Sequence, residues 1–197
     1  MAGHAVTAVR RAVADDVPRA AHVLAAAFAG YPWTDWVVPP DDRAARLTEL
    51  QALYLTHAVR HGVVLVDEAL NGVVALVPVD APPPDDATWH AVAALHGDRL
   101  ERLGAAEPPP PPPGAWTLAA LGVLPAARGA GLGSRLVAAA LADVGDVPVV
   151  LDTSDPRNVG LYERHGFVVV ARADVPDGPA VWSMVRPVLR PAGSSAP

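Results

Sequence analysis

Arg128, Gly129, Ala130, Gly131, Leu132 and Gly133 stand in a row between an apolar run and a helically periodic one. Glycines there permit a tight turn and leave backbone N–H groups uncovered at a helix N-terminus, where the dipole and the unpaired donors favour a phosphate. A dinucleotide-binding turn fits less well, because its fingerprint needs a third glycine further on and an acidic residue after the next strand. The loop therefore predicts an anion site, with a turn that only packs as the alternative. Tyr31, Trp33 and Trp36 follow the helix-stopping pair Gly30 and Pro32, and three aromatics on one loop make either a pocket wall or core. His57 and His61 are four apart on a helical segment, a spacing metal ligands use, yet no cysteine or third spaced ligand supports them. His165 precedes Gly166 at a helix end, where a cationic ring is favoured without any catalytic part.

Composition narrows the chemistry. The 197 residues are 51% hydrophobic, enough for one sizeable core, and the formal net charge of -6 argues against a phosphate backbone as partner. All 15 basic residues are arginine, so a P-loop lysine and a Schiff base are both excluded. The absence of cysteine removes thiol nucleophiles, thiolate metal sites and disulfides. Arg10 and Arg11 are followed by Asp15 and Asp16 instead of an apolar export segment, and the longest uncharged stretch opens on six prolines, which no membrane helix accommodates. The sequence therefore predicts a cytoplasmic protein with neither nucleic acid nor membrane as partner; nothing in it sets an oligomeric state.

The elements that must position these residues alternate strand-like runs with amphipathic segments, the pattern of an α/β (α+β) sheet covered by helices. Strands are expected at 6–10, 63–66, 73–77, 116–123, 147–151, 167–171 and 180–185. Helices are expected after the capping carboxylates Asp15 and Asp16, after Asp41 or Asp42, over 85–103, over 132–144 and over 158–165. Asn71 and Gly72 read as a hairpin turn. Pro108 begins a six-proline stretch that reads as a stiff connector inside one domain spanning 1–186, with 187–197 a frayed tail.

Val123, Leu124 and Pro125 followed by the glycine row resemble the acetyl-coenzyme A motif of the GNAT superfamily of N-acetyltransferases. The run from Asn158 through Tyr162 to Phe167 resembles the segment that follows it there. Residues 25–32, 47–56, 151–167 and 175–185 are further similar to the puromycin-acetylating branch of that family. The resemblance implies a mixed, twisted sheet splayed between the strands ending near Val123 and Leu151, with acetyl-coenzyme A as cosubstrate and no metal. It implies that backbone groups of Leu121, Gly122 and Val123 pair with the pantetheine arm. Backbone N–H groups from Arg128, Gly129, Ala130, Gly131, Leu132, Gly133 and Ser134 would cradle the pyrophosphate. Asn158 would touch the cofactor arm, and Tyr31 would face the acceptor site beside Trp33 and Trp36. Tyr162 lies near the sulfur by the same resemblance, so it is the expected acid that protonates the leaving thiolate. No carboxylate occupies 116–123, where relatives carry a base, so Asp152, just after the central strand, is the expected base, with a turn cap as its alternative. The implied reaction acetylates the primary amine of a small molecule, an aminonucleoside antibiotic such as puromycin. A peptide or protein N-terminus as acceptor, and a non-catalytic acyl-coenzyme A binding module, are the alternatives.

Overall fold

Valine-rich runs pair into one mixed sheet here, and alanine- and leucine-rich periodic segments cover its two faces. The computed structural model describes residues 8–188. In chain order the elements are β1 (Val9–Arg11), α1 (Val17–Phe28), α2 (Pro32–Val37), α3 (Arg43–His61), β2 (Val63–Asp67), β3 (Gly72–Pro78), α4 (Asp86–His96), β4 (Trp116–Val123), α5 (Leu132–Val144), β5 (Val149–Thr153), α6 (Pro156–Glu163), β6 (Val168–Asp174) and β7 (Ala180–Arg186). Short 3-10 turns lie at Ala14–Asp16, Gly97–Gly104 and Pro125–Ala127.

The sheet order is β1-β2-β3-β4-β5-β7-β6. Every neighbouring pair is antiparallel except β4 with β5, which run parallel and pair only through Trp116 with Val149 and Thr117 with Val150. Beyond Thr117 the two strands part. The expected splay is therefore present. Within β4 the register against β3 shifts by one residue: Ala75 faces Ala120 but Leu76 faces Leu118, so Ala119 is an extra residue, a bulge that bends the strand where the splay opens. Helices α1 and α3 pack together on one face, their core including Leu24, Leu55, Val66 and Val73. Helix α5 covers the other face through Leu132, Leu136, Val137 and Ala140. Gly122 is required where β4 passes under α1, since a Cβ there would lie 2.7 Å from Leu24 and 2.8 Å from Ala27.

Several expectations shift. Strand β5 begins at Val149 and extends to Thr153, because Pro148 has no N–H for the ladder and Asp152 and Thr153 pair with Ser183 and Trp182 of β7. Asp152 is thus a strand residue. The aromatic loop contains a helix, α2, with Pro32 in its first turn, where a missing N–H costs nothing. Asp16 does not cap α1; its carboxylate accepts from the Val13 N–H at 2.9 Å and pairs with Arg10 at 2.7 Å. Asp42 occupies the N-cap position of α3 with no side-chain cap bond. The segment expected as one helix over 85–103 breaks after His96 because Gly97 adopts φ 55°. The hairpin between β2 and β3 is closed by the buried Asp67, which accepts from the N–H groups of Asn71 and Gly72, both at 2.7 Å. Strand β6 runs to Asp174, and α6 spans 156–163 with Asp155 as its side-chain cap on the Arg157 N–H at 2.9 Å. The first strand begins at Val9, and the part of the expectation before residue 8 lies outside the described residues, as does most of the expected tail.

Candidate active site

Where β4 and β5 part, a cavity of about 800 Å³ opens on the α1–α3 side of the sheet. Its inner end is built by Ala119, Ala120 and Leu121 of β4, by Asp152, Thr153 and Ser154 at the end of β5, and by Asn158 and Tyr162 of α6. Phe28, Tyr31 and Trp33 close it from α1 and α2, and Tyr54 and His57 from α3.

Tyr31 joins the two halves. Its hydroxyl accepts from the Ser154 N–H at 2.8 Å and shares a hydrogen bond with Thr153 Oγ1 at 2.9 Å. Its ring tilts against Phe28 with centroids 5.5 Å apart. The Trp33 N–H donates to Ser154 Oγ at 2.9 Å, so the aromatic corner is tied to the strand end through both side-chain and backbone bonds. Asn158 Nδ2 lies 3.5 Å from Thr153 Oγ1, and the salt-bridged Asp155 fixes the first turn of α6 through Arg157 at 2.6 Å. The Arg157 guanidinium holds the Asp155 carboxyl below the usual carboxylate range.

Tyr162 is buried, its ring edge-on to Phe167 at 5.7 Å. Among the described residues its hydroxyl makes no hydrogen bond, yet the side chain lines the cavity. Burial, followed by the neighbouring Tyr31, pushes its pKa well above the ordinary phenol value. The phenol therefore keeps its proton at any physiological pH. Asp152 also faces the cavity. Protein packed around its carboxyl raises its pKa, and the Ser183 hydroxyl, donating to Oδ1 at 2.6 Å, opposes that rise. It caps no turn.

The glycine row lies just past the end of β4, at the N-terminus of α5 and outside the cavity itself. Gly129 and Gly131 take φ 86° and 74°, conformations that glycine adopts without strain. The first backbone bond into α5 is from Arg135 N to the Gly131 carbonyl, 3.1 Å, and no side chain caps the helix. Among the described residues no protein acceptor meets the N–H of Gly129, Ala130, Gly131, Leu132, Gly133 or Ser134. Six consecutive free donors at a helix N-terminus suit a pyrophosphate. Arg128 turns back to the Val123 and Ala27 carbonyls, 3.2 and 3.1 Å, and Arg135 to the Ala130 carbonyl, 2.7 Å, so both arginines brace the loop. Ser134 Oγ shares a hydrogen bond with His165 Nε2 at 2.8 Å. Burial and then Arg164 push the His165 pKa down, so that ring is a neutral partner of Ser134 instead of a helix-end cation.

The structure thus gathers Leu121, Asp152, Asn158, Tyr162, Tyr31 and Trp33 at one cavity, with Gly122, Val123 and the glycine row adjoining it. Trp36 is elsewhere. Its ring tilts against Trp33 with centroids 5.3 Å apart, takes the Arg102 guanidinium over it and covers Gly178, so it is packing and not pocket wall. Thr153, Ser154 and Ser183 are additional polar residues of the site. Only the strand ladder, not local sequence, brings them there. Among the described residues no group of three or more His, Asp or Glu side chains converges as a metal site, and no helix is long and apolar enough to cross a membrane.

Residues 85–169 match the acetyltransferase (GNAT) domain family. A histone acetyltransferase and related acetyltransferase from Corynebacterium glutamicum is similar in structure, with TM-score 0.74 and 28% identity over 94% of this chain and 98% of that one. A Drosophila melanogaster polyamine N-acetyltransferase gives TM-score 0.58 and 19% identity over 90% and 98% of the two chains. A complex, NatC, bound to a Gag peptide and CoA gives 0.51 and 13% over 92% and 98%. The last two likenesses concern the fold alone. The seven-stranded mixed sheet flanked by helices matches the fold of these GNAT neighbours. The match over 85–169 and the structural neighbours together indicate an N-acetyltransferase enzyme.

Proposed function

We propose that this protein transfers the acetyl group of acetyl-coenzyme A to the primary amine of a small molecule, with puromycin or a related aminonucleoside as acceptor. One observation carries the reading: Tyr162, Asp152, Asn158 and Tyr31 converge on a cavity at the splay, beside six free backbone donors. The β4 edge beyond Thr117 faces no strand, so backbone groups of Leu121, Gly122 and Val123 can take an extended pantetheine arm as a strand would. The N–H groups from Gly129 to Ser134 hold the pyrophosphate, and Asn158 meets the arm. One domain, whose sheet runs from Val9 to Arg186, performs the whole reaction, in the cytoplasm where the cosubstrate is made.

Acetyl-coenzyme A supplies a thioester whose carbonyl carbon is open to attack and whose sulfur departs as thiolate. Asp152 holds the incoming ammonium at the β5 end and takes the proton it loses, directly or through one water. The neutral amine left after that transfer attacks; as the N–C bond forms and the C–S bond breaks, the nitrogen's second proton passes to solvent, and Tyr162 gives its phenol proton to the sulfur and is reprotonated from solvent. Holding amine and thioester side by side supplies the proximity term. Two segments that resemble the puromycin-acetylating branch, 25–32 and 47–56, contribute Phe28, Tyr31 and Tyr54 to the cavity, which supports the acceptor class. Free-thiol release from acetyl-coenzyme A on adding puromycin tests the reading. Thiol released in proportion to puromycin consumed supports it; coenzyme A binding without thiol release from any primary amine overturns it.

A further inference from the structure

Away from the transfer centre, the cavity changes character. Among the described residues, three of the seven large apolar side chains left exposed, Tyr54, Val79 and Trp89, line this one cavity. Trp89, 52% exposed, sits on α4, whose start is fixed by Asp85 accepting from the Thr88 N–H at 2.8 Å. Pro82 and Pro84 precede that helix, and Pro108 follows its 3-10 extension; all three line the same cavity. Prolines present apolar rings without an N–H donor and have little freedom left to lose when a ligand packs on them.

This wall is anchored. His96 Nδ1 meets the Val37 carbonyl at 2.9 Å, Arg99 reaches the Asp35 and Val38 carbonyls at 3.0 and 2.8 Å, and Arg102 reaches the Trp36 carbonyl at 2.8 Å. These bonds lock α4 and its extension onto α2, which carries Trp33 of the inner site. Charge is sparse. Among the described residues, Asp152 is the one carboxylate lining the cavity and His57 the only histidine, its pKa pushed down by burial and by its neighbours His61 and Arg60. No arginine lines it.

We propose that Tyr54, Trp89 and the prolines flanking α4 form an aryl-binding wall, so that the preferred acceptor is a primary amine bearing one aromatic group and no second positive charge. The inference rests on the acetyltransferase reading above and specifies its substrate class. An aromatic group on this wall buries apolar area against rigid rings. A second ammonium would meet aromatic and proline surface with no carboxylate to pair it, and a charge desolvated without a partner is costly.

Turnover is compared for phenylalaninamide, alaninamide and 1,4-diaminobutane by thiol release, and binding of the two amides by calorimetry, in the wild type and in Trp89→Ala and Trp89→Phe. In the wild type, phenylalaninamide is expected to exceed alaninamide in kcat/KM on the order of 10- to 100-fold. Trp89→Ala should collapse that ratio toward one, and Trp89→Phe should restore most of it. Equal turnover of both amides, a ratio untouched by Trp89→Ala, or a preference for the diamine overturns the wall. If no amine is turned over, the reaction reading fails by itself, and the calorimetric ratio of the two amides still decides whether the wall selects aryl groups.

Discussion

Replacing Tyr162 by Phe removes one oxygen and leaves the ring, so the edge-on contact with Phe167 at 5.7 Å survives. The hydroxyl has no protein partner among the described residues, so its loss breaks no hydrogen bond there. Stability should therefore change by less than about 0.5 kcal/mol. The catalytic effect should be far larger, because general acid catalysis by a positioned group typically contributes on the order of 10²- to 10⁴-fold. We expect kcat to fall about 100-fold or more, with the dissociation constant for coenzyme A unchanged. Stopped thiol-release assays give kcat, calorimetry gives the coenzyme A affinity, and a thermal melt gives the stability. Because burial raises the phenol pKa, the wild-type rate should show no loss from Tyr162 ionisation up to pH 9. A fall in kcat of less than threefold would refute the acid assignment. A melting-temperature loss equivalent to about 2 kcal/mol would instead reveal a buried hydrogen bond to that hydroxyl.

Asp152→Asn should remove the acidic limb of the kcat/KM profile, a limb displaced above the ordinary carboxylate range by burial. The same raised pKa means that ionised Asp152 weakens the fold as pH rises through its folded value, so the Asn variant should melt no lower than wild type at pH 7.5; a lower melt there contradicts the sign. The Arg10 guanidinium and the Val13 N–H hold the Asp16 carboxyl down at about 2, below the usual carboxylate range. Its contribution is complete above about pH 4 and fades as pH falls through 2. Asp16→Ala should thus lower the melting temperature at pH 7 but scarcely at pH 2, and an equal loss at both would count against the ion pair. Gly131→Ala forces a side chain to φ 74° at the N-cap of α5. The strain, roughly 1–2 kcal/mol, falls on the free-donor loop, so the KM for acetyl-coenzyme A should rise while that for the amine holds; the opposite pattern would remove the loop from cosubstrate binding.

Much of the frame was legible because its signals are local. Strand β4 and helix α5 fall where alternation, 3.6-residue periodicity and the glycine row predicted them. Strand β5 shifted because Asp152 and Thr153 resemble turn residues in isolation, and only the ladder to β7 makes them strand. Helix α2 was hidden by Pro32, which ends one helix and begins the next. Trp36 reads like Trp33 in sequence, but Arg102 and Gly178, distant along the chain, decide that it packs away from the cavity. Tyr54 and Trp89 carried no motif. They meet the site only through the packing of α3 and α4, which no short window encodes.

The extra residue at Ala119 interrupts the alternation of the strand. Trp116 and Leu118 pack toward α5 before it, Leu121 and Val123 toward α5 after it, while Ala120 and Gly122 turn toward α1. Side chains alternate with period two and Ala119 stands outside that alternation, so deleting it would leave both sets on their faces while removing the bend beside the splay. The bulge therefore shapes the strand without setting its faces: deleting Ala119 should leave the sheet folded and the splay narrower, whereas a side chain at Gly122 has no room under α1.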